Sequence, residues 1–300
     1  MKILPAILPV LLLCGCSKAV PFPRPDGNEA LKHAKELALI APRHSGSEGA
    51  KLAAEQFERK AKGLPAFQVS VDVFQAQTPA GKLTFRNVSA VLPGKSPEFI
   101  VIGAHYDAKK FDSIPDFQGA NDGGSGVGAL FAMMKALQDA GTTPPLELRF
   151  VFFDGEEAQI LYTDGDGFHG SQRYVSELRR KNELRNCRAM ILLDMVGDSD
   201  LKLALSPDTD PILAATAMKA AHELGYDKNI RLNGPQMLDD HTAFQNAGIP
   251  AIDLIDFEYG PDNIYWHTAG DTVDKLSADS LGISAAIALK MVWKLTGMDP

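Results

Sequence analysis

Cysteine is scarce in this chain of 300 residues: there are three, at positions 14, 16 and 187. Cys14 and Cys16 sit in an N-terminal apolar leader, so Cys187 stands alone. One thiol cannot form an internal disulfide, and Cys187 reads as a small buried hydrophobe. Positive charge is also short. The formal balance is −8 at pH 7, which argues against nucleic acid as the main partner. No internal repeat, low-complexity tract or shift of composition marks a second domain. The content, 45% hydrophobic and 23% charged, is that of an ordinary globular chain. The apolar run in MKILPAILPVLLLCGC is too short to span a bilayer comfortably.

That opening has the grammar of a signal peptide. Its ending, Leu13-Cys14-Gly15-Cys16, resembles a bacterial lipobox and predicts lipidation of Cys16. The expected organisation is a leader over 1–16, a Pro-rich tether over 17–26 and a single folded domain over 27–300. The expected location is the bacterial cell envelope, on the periplasmic or outer-membrane side, with membrane contact only through the lipid on Cys16. A plain secretory signal is the alternative.

Past the tether, helical and strand patterns alternate. Leu31, Ala34, Leu37 and Ile40 recur at helical spacing, and Ser45 or Ser47 can cap a second helix over EGAKLAAEQFERKA. FQVSVDVFQAQ and LTFRNVSAVLPG, parted by the turn TPAGK, predict an antiparallel edge. Near-continuous apolar strands follow in EFIVIGAHYD, LELRFVFFD, RAMILLDMVG and PAIDLIDF. Helices are predicted after Gly126, near SQRYVSELRR, over DPILAATAMKAAHEL and over the closing SADSLGISAAIALKMVWKL. Strands apolar on both faces, alternating with helices, predict an α/β fold: a three-layer α/β/α sandwich on a mixed, mainly parallel sheet.

Polar clusters follow the apolar strands: His105 and Asp107, then Asp154, Glu156 and Glu157, then Asp194. Others fall at turns: Asp122, then Asp239, Asp240 and His241, then His267 and Asp271. Ligands in open α/β sheets bind beyond the carboxyl ends of the strands, so these groups are expected at one rim. Carboxylates crowded there must be protonated, paired or bound to a cation. Imidazole plus carboxylate without thiolate is the donor set of catalytic zinc or a similar metal. Of the adjacent pair Glu156 and Glu157, one can ligate while the other serves as acid and base. Asp107 is expected to orient a neighbour, and Asp154 to support its loop. His33, His44, His169 and His222 read as structural. Asp239 and Asp240 also fit a solvated loop, Asp198 a surface turn, and Asp271 with Thr272 a cap on the loop after His267. Trp266 beside that loop also fits core packing.

The ordered set HYD, NDGG, DGEE, LDMVG and HTAGDT resembles the zinc aminopeptidases of metallopeptidase family 28, from about Glu29 to the C-terminus. The resemblance implies a phosphorylase/hydrolase-like fold. It implies His105, Asp122 as a bridge, Glu157, Asp194 and His267 as ligands of two metals, with Glu156 as general base. Further segments resemble the animal-type glutaminyl cyclases on the same fold: TPAGKLTFRNVSAVL, GEEAQILYTDGDGFHGS, DDHTAFQNAGIPAIDLI and the Trp of WHT. That branch implies one zinc on Asp122, Glu157 and His267, and cyclisation of the N-terminal Gln of peptides or proteins to pyroglutamate with release of ammonia. Glu156 would shuttle the proton, Asp194 and Asp239 would hydrogen-bond around it, and Trp266 and Tyr162 would line the pocket. Two departures stand out. NDGG is aminopeptidase-like, which keeps two-zinc hydrolysis of N-terminal residues in play, and Tyr162 replaces a Trp. A non-catalytic binding domain on the same fold would be marked by lost ligands, and none is lost.

Overall fold

The computed structural model describes residues 21–163 and 165–299. The leader with Cys14 and Cys16, and the first part of the tether, lie outside them. The elements in order are α1 (Gly27–Ala38), α2 (Glu48–Lys62), β1 (Gln68–Thr78), β2 (Gly81–Leu92), β3 (Ser96–His105), α3 (Gly124–Ala140) and β4 (Leu146–Phe153). Then come α4 (His169–Arg180), β5 (Cys187–Asp194), β6 (Leu203–Ala204), α5 (Pro211–Leu224), β7 (Ile230–Arg231), α6 (His241–Gln245), β8 (Ala251–Ile255) and α7 (Ala278–Leu295).

Local chemistry sets several boundaries. Ser47 caps α2 by accepting the Ala50 N–H, and Asp210 caps α5 through the Ile212 and Leu213 N–H groups. Ser45 does not cap; its hydroxyl donates to Asp107 at 3.0 Å. The short helix α6, built on DDHTAF, and the small parallel pair β6–β7 are too short to leave a periodic trace in the sequence.

The main sheet has the order β1-β2-β4-β3-β5-β8. β1 and β2 form an antiparallel hairpin closed at Thr78 and Gly81, and β2 pairs antiparallel with β4. The other pairings are parallel. Alternate side chains feed two cores. Ile100, Ile102, Phe150, Phe152, Ile191 and Leu193 pack into the larger one, with residues of α1, α2, α3, α5 and α7. Phe99, Val101, Val151, Phe153, Met190 and Leu192 pack into a smaller one, with Val175 and Leu178 of α4 and Phe244 of α6. Both faces are therefore covered, which is why these strands read as continuous apolar runs. Cys187 is buried in the smaller core, where burial pushes its thiol up to about 12.

Parallel pairing brings the carboxyl ends of the central strands to one edge. His105 at the end of β3 lies level with Phe153 of β4, and Asp194 closes β5 alongside. Helix α3 starts at the same edge and its first turns are wholly buried. Gly126 permits that approach: a Cβ there would lie 2.2 Å from the Leu193 carbonyl oxygen and 2.8 Å from the Ala104 methyl. Gly126→Ala is expected to push α3 off the sheet and cost roughly 1–3 kcal/mol. Urea denaturation should register this as a lower midpoint at an unchanged slope.

Candidate active site

Asp122, on the glycine-rich turn before α3, is the hub of the site. Its Oδ1 lies 3.2 Å from His105 Nε2 and its Oδ2 3.2 Å from His267 Nε2. His267 Nε2 is also 3.1 Å from Glu157 Oε1, and His105 Nε2 is 3.1 Å from Asp194 Oδ1. Two donor groups thus share one carboxylate: His105, Asp122 and Asp194, and Asp122, Glu157 and His267. Donors on a tetrahedral zinc at its usual bond lengths stand about 3.3 Å apart. The four imidazole–carboxylate spacings are already close to that, and all donor atoms of each group lie within 4.8 Å of one another, so the residues fit such an ion.

Electrostatics agree with a cation-binding role. Burial pushes the Glu156 carboxyl well above the usual range, and the Glu157 charge adds to it. Burial likewise raises Asp194 and, more strongly, Asp239, which also faces Asp253. Burial alone would depress His267, but contacts with Asp122 and Glu157 outweigh it and lift the imidazole to about 10. His105 is raised in the same way: burial opposes, while the charge of Asp194 and bonds to the surrounding carboxylates prevail. Asp122 is buried, yet its two imidazole contacts hold it well below the usual carboxylate range.

The backbone around the donors is held by other acids. The Asp107 carboxylate accepts the N–H groups of Glu156 at 3.1 Å and Glu157 at 3.2 Å. Its own distance to His105 Nδ1 is 3.7 Å, too long for a hydrogen bond. The group it orients is therefore the acid pair. Asp154 accepts the Arg86 N–H at 2.8 Å and ties its loop to β2. Asp271 does not cap the loop after His267. It is buried and accepts the N–H groups of Asn121 at 2.8 Å and Asp122 at 3.2 Å, clamping the hub from another part of the chain. Asp198 is not a surface turn residue either: it is 3% exposed and accepts the Gly260 N–H at 2.8 Å. Asp239 and Asp240 form no solvated loop; both are buried at the start of α6.

The walls are aromatic. Trp266 stacks on His267 at 4.1 Å between ring centres, and Phe111 meets the same imidazole edge-on at 5.6 Å. The Tyr162 hydroxyl lies 2.8 Å from Glu157 Oε2 and 3.4 Å from Glu156 Oε2, so it touches the donors themselves. His267 and Met195, the residue after Asp194, both adopt left-handed backbone at φ 54° and 50°. For non-glycine residues that conformation is costly, and it is found where surrounding structure forces a functional side chain into place.

Sequence reasoning missed three nearby groups. Lys109 Nζ lies 3.4 Å from Glu157 Oε2 and 4.8 Å from the Tyr162 ring centre. Arg43 is fully buried and spends its guanidinium on the carbonyls of Tyr106, Gln118 and Gly119. Asp253 sits in β8 beside His241 Nδ1, 3.9 Å away, with no hydrogen bond to its carboxylate among the described residues. Only Asp253 left a signal: an acid in the middle of an apolar strand.

The pattern of peptidase family M28 matches residues 87–292, which carry every donor named above. The chain belongs to peptidase family M28. With the donor set, membership supports a zinc ion at this site. The crystal structure of the Acidobacteriales bacterium glutaminyl cyclase superposes with a TM-score of 0.84 at 32% identity, covering 91% of this chain and 96% of that one. Bovine (Bos taurus) glutaminyl-peptide cyclotransferase is 27% identical over 81% of this chain and 75% of its own length. Aminopeptidase YwaD of Bacillus subtilis is 30% identical, but over 62% of this chain and 39% of its own length.

Removing the clamp isolates its contribution. Asp271→Ala frees two backbone N–H groups behind Asp122 without touching a donor atom. Zinc affinity, measured by competition with a chromophoric chelator, is expected to fall roughly 10- to 100-fold while far-UV circular dichroism is retained.

Proposed function

We propose that this protein is a zinc-dependent glutaminyl-peptide cyclotransferase, converting N-terminal Gln of peptides or proteins to pyroglutamate and releasing ammonia. The observation that carries the reading is the 32% identity with a glutaminyl cyclase across nine tenths of the chain. In this reading one zinc is held by Asp122, Glu157 and His267, where it supplies Lewis-acid polarisation of the side-chain amide. The free α-amine and the amide carbon belong to the same residue, so the substrate itself provides most of the proximity. Glu156, displaced upward in basicity by burial, takes the amine proton and returns it to the departing nitrogen. Asp194 and Asp239 hydrogen-bond around that acid and the leaving group, and Trp266 with Tyr162 bounds the space for the glutamine side chain.

His105 then pairs with carboxylates rather than with a metal. Its Nε2 lies 3.2 Å from Asp122 and 3.1 Å from Asp194, the oxygens that a second metal would otherwise bind. A two-zinc aminopeptidase is the second reading. The donor group His105, Asp122 and Asp194 favours it, as does the likeness to aminopeptidase YwaD. No donor is missing, which weighs against a non-catalytic binding domain.

We also propose that residues 1–16 direct export and that Cys16 carries a lipid anchor. This rests on the leader sequence alone. Among the described residues no helix is long and apolar enough to cross a membrane.

Mass spectrometry of Gln-Phe-Ala and Leu-Phe-Ala incubated with zinc-loaded protein tests the activity. Loss of ammonia from the first, with the second untouched, is expected, together with one zinc per chain by elemental analysis. Release of free Leu with two zincs per chain would replace this reading with the aminopeptidase. Glu156→Gln is expected to lower kcat by roughly 10²- to 10⁴-fold with bound zinc unchanged. Full activity in that variant would remove Glu156 from the reaction.

A further inference from the structure

Next to the site, a cavity of about 500 Å³ runs between α4 and α6. Tyr162 and Asp239 line its inner end, and both also belong to the donor surroundings described above. Its floor and sides are apolar, with Phe168, Val175 and Leu238 prominent, and Leu238 is 58% exposed although it is a large hydrophobe. Gln172, Ser176 and Asn246 add side-chain donors and acceptors along the edges. At the far end stands Arg179. Among the described residues lining the cavity it is the only cation, and Asp239, buried at the other end, is the only acid. Arg173 and Arg180 on the same helix are paired with Asp72 and Glu177, whereas Arg179 has no ion pair among the described residues.

We infer that this groove carries the substrate's residues beyond the first, and that Arg179 selects acidic side chains among them. This rests on the proposed action at peptide N-termini. Tyr162 touches Glu157 and also lines the groove, so the groove is continuous with the site and offers the rest of a peptide bound at Glu156 and Glu157 a path outward. From His169 to Arg179, α4 advances about 15 Å. An extended peptide covers that in about four to five residues, so Arg179 meets a side chain at roughly the fourth to sixth position. An apolar second or third residue lies against Phe168, Val175 and Leu238. The edge amides pair with the peptide backbone without reading sequence. The ligand class is thus an extended peptide, apolar near its start and acidic a few residues on.

Three peptides test this on the zinc-loaded full-length protein: Gln-Phe-amide, Gln-Phe-Ala-Glu-Glu-Glu-amide and Gln-Phe-Ala-Lys-Lys-Lys-amide. The acidic hexapeptide is expected to exceed the basic one in kcat/KM by roughly 2- to 5-fold, the range of an exposed ion pair, and less at high salt. Arg179→Glu should bring that ratio below one. Ser176→Trp, which narrows the groove from the exposed side of α4, should raise KM for both hexapeptides relative to Gln-Phe-amide. Equal turnover of the two hexapeptides by the unaltered protein, or a ratio untouched by Arg179→Glu, overturns the inference. Gln-Phe-amide ends short of Arg179 and reports on cyclisation alone. If it is not turned over, the activity reading fails separately, and the affinities of fluorescein-labelled hexapeptides measured by anisotropy decide the groove. An acidic preference lost in Arg179→Glu upholds it, and equal affinities reject it.

Discussion

Mutual repulsion among buried carboxylates is the constraint on which the rest of the site depends. Asp122, Glu156, Glu157, Asp194 and Asp239 converge at one edge of the sheet, out of water. Left alone they would take up protons, and burial drives Glu156, Asp194 and Asp239 in that direction. Asp122 escapes because two imidazoles face it. The fold tolerates this crowd by supplying hydrogen-bond donors and positive charge at fixed points. Backbone N–H groups satisfy the supporting acids Asp107 and Asp271, while His105, His267 and Lys109 face the others. A bound cation completes the balance.

The same arrangement explains how one fold serves two chemistries. Every donor that a two-metal hydrolase needs is present, and so is every group that a one-metal cyclase needs. The difference lies in what His105 does beside Asp122: ligate a second ion, or pair directly with Asp122 and Asp194. Geometry at the hub is nearly neutral between them, since His105 lies as close to Asp122 as His267 does. The walls are less neutral. Trp266 packed flat on His267 and Tyr162 bonded to Glu157 narrow the approach around the donor group Asp122, Glu157 and His267.

Most of the fold and the inner site was legible in the sequence because both leave patterned traces. Residues 99–104 and 150–153 are apolar on both faces, which requires helices on both sides of the sheet. Parallel strands then bring their carboxyl ends together, so acids placed after them had to meet. What escaped reading acts through backbone. Asp271 and Asp198 accept N–H groups, and an N–H looks the same at every position, so nothing in the sequence marks the partner. Lys109 and Arg43 were equally silent, because a basic residue in a loop ordinarily belongs to solvent. The short helix α6 was hidden for want of length, and with it the burial of Asp239 and Asp240.

The Asp271 clamp also has a consequence in time. It closes on Asn121 and Asp122 across about half the chain, and His267 reaches Glu157 and Asp122 across nearly as much. During folding, β3, α3 and β4 can pair before residues 267–271 dock. Through that interval the hub lacks both its imidazole on one side and the acceptor that fixes its backbone. The donor group Asp122, Glu157 and His267 is therefore incomplete until that late segment arrives. An ion held by that group marks a chain whose distant segments have docked, and not merely one whose sheet has formed.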